Sequence, residues 1–278
     1  MEGLIRQTMT LKRNSAIFVK TNLLAKSKTN MRFYIIASGS KGNSTLITDG
    51  ATNLLIDMGL TKKWLLEGLS QTPIGFNDIH FALFTHDHGD HASGQKFLPI
   101  EKRYATKGSV ELLEGHELEH YKSIKLGTFT ITPLPTSHDA NDGVGFLIFD
   151  GRQTLVYMTD TGYISNANMS YMKNADYYII ESNHNVKMLL QTDRTFTLIQ
   201  RILGDTGHLS NEDSAMYMSE LLGDRTKEII LAHLSEEAND PEVALKAHLK
   251  IYQRKYIDID KIRIVPAKQY ELVSGGHD

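Results

Sequence analysis

His80-Phe81-Ala82-Leu83-Phe84-Thr85-His86-Asp87-His88-Gly89-Asp90-His91 joins a short apolar run to a segment dense in metal-binding side chains. Residues 80–84 read as a buried strand, which delivers the histidines at its end. An extended chain sends 86, 88 and 90 to one face. A loop eased by Gly89 then turns His91 inward as well. Imidazoles and carboxylates are good ligands for zinc, manganese or iron, and a hydrolytic centre needs several converging on one point.

On either side of this run, strands and helices interleave. Arg32–Ala37, Ser44–Thr48 and Thr52–Asp57 read as consecutive antiparallel strands. Thr61–Leu69 reads as a helix. Phe129–Leu134, Gly143–Phe149, Thr154–Thr159, Tyr177–Ile180 and Glu228–Ala232 read as further strands. The spacing predicts one helix over Val186–Leu203 and another over Asn211–Leu222, capped by Ser210 or Asn211. A third begins at Pro241, a favourable first helical position, and runs to about Arg254. There is no repeat and no linker after Met31, so residues 31–278 are expected to form one domain with a mixed sheet covered by helices.

The composition is that of a soluble globular chain, with 41% hydrophobic and 23% charged residues in 278. No apolar run approaches the length that crosses a bilayer, so no membrane association is expected. With no cysteine, disulfides and thiolate ligands are excluded, which fits a cytoplasmic protein. The formal charge of −3 does not advertise a polyanion-binding surface. Residues 1–30 carry six basic side chains against Glu2 alone. They are expected to be a disordered extension or to lie upstream of a start at Met31, with a transit peptide or a nucleic-acid arm as alternatives.

The run His-x-His-x-Asp-His after a strand resembles the hallmark of the metallo-β-lactamase fold superfamily. Later motifs match in order from Met31 to about Val273. They are Asp57 in Leu54-Leu55-Ile56-Asp57-Met58-Gly59, His138 in Thr136-Ser137-His138-Asp139, Asp160 in Met158-Thr159-Asp160-Thr161-Gly162, and His233 in Leu231-Ala232-His233-Leu234-Ser235. The resemblance implies an αββα sandwich of two mixed sheets flanked by helices. It also implies two divalent metal ions, zinc or manganese. One would be held by His86, His88 and His138, the other by Asp90, His91 and His233, with Asp160 shared. Asp57 would brace the metal loop. Two such ions can activate a shared water and polarise the bond under attack.

Fold alone does not give function, and this superfamily includes lactamases, thioesterases, lactonases and nucleases. The lack of cysteine excludes the lactamase subclasses with a Cys ligand. The span from Asp160 to His233 is too short for the inserted domain of ribonuclease J-type enzymes, and no long glycine-rich arm of the transfer-RNA 3′-processing kind is present. Ser38-Gly39-Ser40-Lys41-Gly42-Asn43-Ser44, Glu181-Ser182-Asn183-His184 and Gly207-His208-Leu209-Ser210-Asn211 are similar to the YycJ (WalJ) group of this superfamily. That likeness implies a 5′-to-3′ exonuclease acting on DNA, or RNA, with a role in DNA repair. The glycine-rich loop is expected to offer Ser40, Lys41 and Asn43 to a phosphate, or to be a tight turn only. His208 and Ser210 open a helix whose N-terminus favours an anion. His208, and His184 with it, are candidate catalytic groups beside Asp90, with a structural role as the other reading of each. A small-molecule hydrolase opening a lactone, thioester or lactam remains the alternative, as does a binding protein that has kept the fold. The first needs an enclosed pocket, and a nuclease an open basic groove. Lys41, Lys62, Lys63 and Lys107 are candidates to line one.

Overall fold

The computed structural model describes residues 29–276. The basic segment read as an extension lies outside them up to residue 28. In chain order the strands are β1 Arg32–Ala37, β2 Ser44–Thr48, β3 Asn53–Ile56, β4 Phe81–Leu83, β5 Arg103–Thr106, β6 His116–Leu118, β7 Ile124–Leu126, β8 Phe129–Pro135, β9 Val144–Phe149, β10 Thr154–Met158, β11 Tyr177–Glu181, β12 Glu228–Ala232, β13 Arg263–Pro266 and β14 Val273–Gly275. The helices are α1 Lys62–Ser70, α2 Gly89–Ala92, α3 Lys107–Leu113, α4 Asn166–Met172, α5 Val186–Leu190, α6 Phe196–Leu203, α7 Asn211–Leu221 and α8 Pro241–Arg254.

The strands form two seven-stranded mixed sheets, ordered β14-β1-β2-β3-β4-β5-β6 and β13-β12-β11-β10-β9-β8-β7. Alternation along each strand decides what meets what. Phe33, Ile35, Leu54 and Ile56 from the first sheet pack against Phe129, Phe146, Leu155, Tyr157, Ile179 and Ile230 from the second, making a core between the sheets. The intervening residues face outward. Tyr34, Ile36 and Leu55 meet Leu65 and Leu69 of α1. Val156, Tyr178, Ile229 and Leu231 meet Ala215 and Met218 of α7 and Ala244 and Tyr252 of α8. The result is two mixed sheets flanked by helices.

Pairing direction places the chemistry. β3 and β4 run parallel, as do β10, β11 and β12, and β8 shares their direction because it lies two antiparallel steps from β10. The C-terminal ends of these strands therefore meet at one edge of the sandwich. Asp57, Thr85, His138, Asp160, Glu181 and His233 all lie there.

The single helix expected over Val186–Leu203 is instead two, α5 and α6. The Asn185 side chain accepts from Lys187 N and Met188 N and caps the first. Thr192 Oγ1 returns to Leu189 O at 2.8 Å, and Thr195 caps the second through Leu198 N. These short polar side chains compete for backbone groups, and that competition breaks the apolar periodicity into two pieces. The short strands β5, β6, β7, β13 and β14, with α3 and α4, were not expected from periodicity. Most run three or four residues, too short to show a period. Among the described residues no helix is long and apolar enough to cross a membrane.

One glycine in this framework is sterically required. A Cβ on Gly59 would lie 1.6 Å from the Asp90 carbonyl oxygen. There the His86–His91 loop is tied to the turn after β3 by Met58 N to His91 O at 2.7 Å and to the β1–β2 loop by Asn43 N to Asp90 O at 2.8 Å. We expect Gly59→Ala to displace the loop and cost roughly 3 kcal/mol, as overpacking does, or about 5–10 °C in Tm. Thermal melts and metal content check this. An unchanged Tm with full metal loading would show that the contact is not limiting.

Candidate metal centre

At the shared edge, His86, His88 and His138 form one cluster and Asp90, His91 and His233 a second, the offered ligand atoms within each lying within 4.8 Å of one another. Asp160 reaches both. Its Oδ2 is 3.4 Å from His91 Nε2, and its Oδ1 is 3.5 Å from His233 Nε2 and 3.8 Å from His138 Nε2. His86 Nε2, His233 Nε2 and Asp160 Oδ2 are buried with no hydrogen-bond partner. Buried polar atoms are costly unless satisfied. Three of them, converging from three different strands in an all-nitrogen-and-oxygen donor set, fit divalent metal ions.

Each sheet supplies a buried carboxylate that orients this set. Asp57 Oδ1 accepts from Thr85 N at 2.8 Å, and Asp57 Oδ2 accepts from His91 Nδ1 at 2.8 Å. His91 Nε2 faces the ligand cluster, with the Asn43 amide nitrogen 3.0 Å away. Glu181 Oε1 takes His233 Nδ1 and His208 Nδ1, both at 2.9 Å, while Oε2 accepts from Thr161 N and Leu209 N. A carboxylate so fully engaged supports ligands rather than joining them, although its oxygens lie within reach of Asp160, His208 and His233. Asp57, Asp160 and His233 have φ of 59°, 55° and 55°, the left-handed region that side chains seldom adopt. The backbone is strained where it turns these groups inward.

The electrostatics match. Burial opposes ionisation of His91, but Asp160 and Asp57 outweigh it and raise its pKa to about 10. His233 is likewise raised to about 9, burial being overcome by Asp160 and Glu181. His86 is pushed well below the ordinary imidazole value by burial and by charge on His91. Burial works against Glu181, yet His208 and His233 hold it down at about 2. Several buried carboxylates thus lean on shared protons for compensation, the role that metal cations take over.

The other expected site residues divide. Ser40 and His208 line a cavity of about 470 Å³ together with His88, Asp90, His138, Asp160 and His233. Lys41, the next residue after Ser40, is exposed and paired with Glu236 at 2.6 Å, and its side chain is not part of that lining. Three others lie outside that lining, in the structural roles given as their other reading. Asn43 is buried, and its amide closes the loop through Gly39 N and Gly39 O and lies 3.0 Å from His91 Nε2. Ser210 is buried as the cap of α7, bonded to Asp213. His184 is only 1% exposed and does not line the cavity, with burial lowering its pKa to about 4. Neighbouring Asn183 lines it instead.

Sequence reasoning missed Arg194 and Arg201, which form one wall with Leu198 and Ile202. Arg201 Nε is 2.5 Å from Asp139 Oδ2, and Arg194 Nε is 3.0 Å from Glu237 Oε2. Leu198, Arg201 and Ile202 follow an i, i+3, i+4 spacing, but the unbroken helix expected there gave no reason to aim that face at the metals. A second depression of about 490 Å³, lined by Leu222 and Ile262, lies at the opposite edge and contains none of the metal clusters.

Comparison with known proteins agrees with this geometry. Residues 52–234 match the family described as the beta-lactamase superfamily domain. An exodeoxyribonuclease WalJ of Streptococcus pneumoniae is 36% identical over 233 residues, covering 78% of this chain and 87% of that protein. An exodeoxyribonuclease YycJ of Bacillus anthracis is 32% identical over 238 residues, covering 81% and 90%. The metallo-beta-lactamase fold protein YhfI of Bacillus subtilis superposes with a TM-score of 0.68 at 19% identity, over 89% of this chain and all of that one.

Two consequences follow for metal binding. His91 and His233 carry protons at neutral pH when no metal is bound, because both pKa values are raised above 7. Saturation at pH 7 should therefore release about two protons per chain, with affinity rising with pH until those groups are deprotonated. Calorimetry in buffers of different ionisation enthalpy reads this, and zero release would show that neither imidazole is a ligand. Chelation should lower Tm by about 5–15 °C, from the ~3–4 kcal/mol that a ligand at 100–1,000 times its Kd contributes.

Proposed function

The chain belongs to the beta-lactamase superfamily, and we propose that within it the protein is a metal-dependent exodeoxyribonuclease that removes nucleotides from DNA in the 5′-to-3′ direction. The observation that carries this reading is the cavity wall. Arg194 and Arg201 stand beside the metal clusters with guanidinium groups suited to phosphate, and the named exodeoxyribonuclease relatives cover most of the chain. We further infer two ions per chain, zinc or manganese, and a cytoplasmic role in DNA repair.

His86, His88 and His138 would hold one ion, Asp90, His91 and His233 the other, and Asp160 both. Ions held there would supply Lewis acidity toward a phosphate and lower the pKa of a water. The protein's own groups do the rest. Arg201 exchanges its Asp139 partner for a non-bridging phosphate oxygen, and Arg194 does the same from Glu237. His208, fixed through Nδ1 by Glu181, directs its other nitrogen toward the cavity and protonates the departing oxygen.

A second reading rests on the same wall. Arg194 and Arg201 are each already neutralised, by Glu237 and Asp139, a balance that also suits a small, weakly charged ester or lactam. End-labelled single- and double-stranded DNA and RNA, with zinc or manganese, separate the two. We expect mononucleotides from the 5′ end of DNA, lost in Asp90→Ala. No cleavage of any nucleic acid would move the assignment to the small-molecule reading.

His208→Ala should reduce kcat by about 10²–10⁴-fold, the usual worth of a general acid, with metal content unchanged. Wild-type turnover in that variant would remove His208 from the chemistry. Arg201→Ala should raise KM, with a smaller effect on kcat.

A further inference from the structure

Trp64 is the only tryptophan in the chain, and it is not used to anchor its helix. Leu65 and Leu69 of α1 are buried, whereas Trp64 is 45% exposed. Its ring stacks on Tyr270, itself 46% exposed, with centroids 4.9 Å apart and planes 19° from parallel. Two large aromatic surfaces are thus held together, half in water, above a small groove lined by Ile36, Leu60, Glu67 and Gln71. Lys62 and Lys63 precede Trp64, are exposed, and make no ion pair among the described residues.

The pair is joined to the metal cavity by a short, rigid path. Ser40 lines the cavity. The next residue, Lys41, donates its backbone N–H to Gln269 Oε1 at 3.0 Å, and Gln269 Nε2 donates to Gly42 O at 2.8 Å. Ser38 N also bonds Gln269 O, and Tyr270 directly follows Gln269. The loop after β13 is therefore tied to the loop after β1 at the edge that carries the metal clusters, through the backbone of Lys41 and Gly42.

We propose that the Trp64–Tyr270 stack, with Lys41, Lys62 and Lys63, is a binding subsite for an unpaired nucleotide segment flanking the scissile phosphate. Every base presents a π face, so a planar aromatic platform takes any sequence, while ammonium groups follow the phosphates. Beside the stack two exposed ammonium groups, Lys62 and Lys63, stand against the single carboxylate of Glu67, a local excess of positive charge that favours a polyanion over an apolar peptide. This subsite deepens the nuclease reading and rests on it. It explains how a chain with a net charge of −3 holds a polyanion: by stacking and two local cations, without a broad basic face.

The lone tryptophan provides the test. Titrating the metal-free protein with a single-stranded oligodeoxynucleotide should quench Trp64 fluorescence saturably, and Tyr270→Ala should weaken that binding about tenfold. Trp64→Ala should raise KM for oligonucleotides about tenfold, Trp64→Phe should restore most of it, and both should hydrolyse bis(p-nitrophenyl) phosphate, which is too small to reach the stack, like the wild type. Absence of quenching, or oligonucleotide kinetics in Trp64→Ala equal to the wild type, overturns the subsite while leaving the nuclease reading intact. Failure of the wild type to cleave either substrate overturns the nuclease reading itself, whereas saturable quenching in the same protein would still support the stacking site.

Discussion

The structure turns on a buried carboxylate, Asp57, that receives three donors across the gap between β3 and β4. It takes the Thr85 amide, the Thr85 hydroxyl and the His91 ring. All of these groups are out of water. An anion in such a place is tolerable only if fully engaged. Removing His91, its one charged partner, leaves uncompensated charge, at a cost of about 3–5 kcal/mol. The His86–His91 loop therefore has one low-energy position, and that position fixes which nitrogen of His91 is left for chemistry.

The second sheet repeats the device. Glu181 does for His233 what Asp57 does for His91, and also takes two backbone amides from the loops that carry Asp160 and His208. The centre lies where two independently braced halves meet, with Asp160 between them. Positive φ at Asp57, Asp160 and His233 is the local strain of turning three side chains into one small space, and the surrounding hydrogen bonds hold it there.

How much of this was legible in the sequence follows from where information is local. Residues 80–91 are contiguous, so the strand-to-ligand transition could be read directly, and strands of five or six residues showed their alternation. His138, Asp160 and His233 are single residues whose meaning came from order along the chain. Glu181 stood within a motif that drew notice to His184, because an exposed-looking histidine after a strand and a buried one are identical in one dimension. For Asn43 and Ser210 the sequence allowed both a phosphate contact and a turn or cap, and the polar atoms are taken by the turn and the cap. Arg194 and Arg201 were unreadable for a different reason: the break at Gln191–Thr195 sets the direction of α6, and apolar spacing alone runs through it.

The net charge can now be read differently. A near-neutral chain argues against a phosphodiester substrate only if affinity must come from a uniform positive surface. Here Arg194 and Arg201, which line the cavity, are each held by a carboxylate, so the total conceals cations already in place. An exposed ion pair is worth little, typically about 0–1 kcal/mol, so its cation is released to a phosphate at small cost. Bound metal would add positive charge at the clusters. A substrate presenting a phosphate there gains all of these contacts together, whereas a strand lying away from both the cavity and the exposed Lys62 and Lys63 meets a chain of balanced charge. Discrimination then arises from the geometry of the cavity wall rather than from total charge.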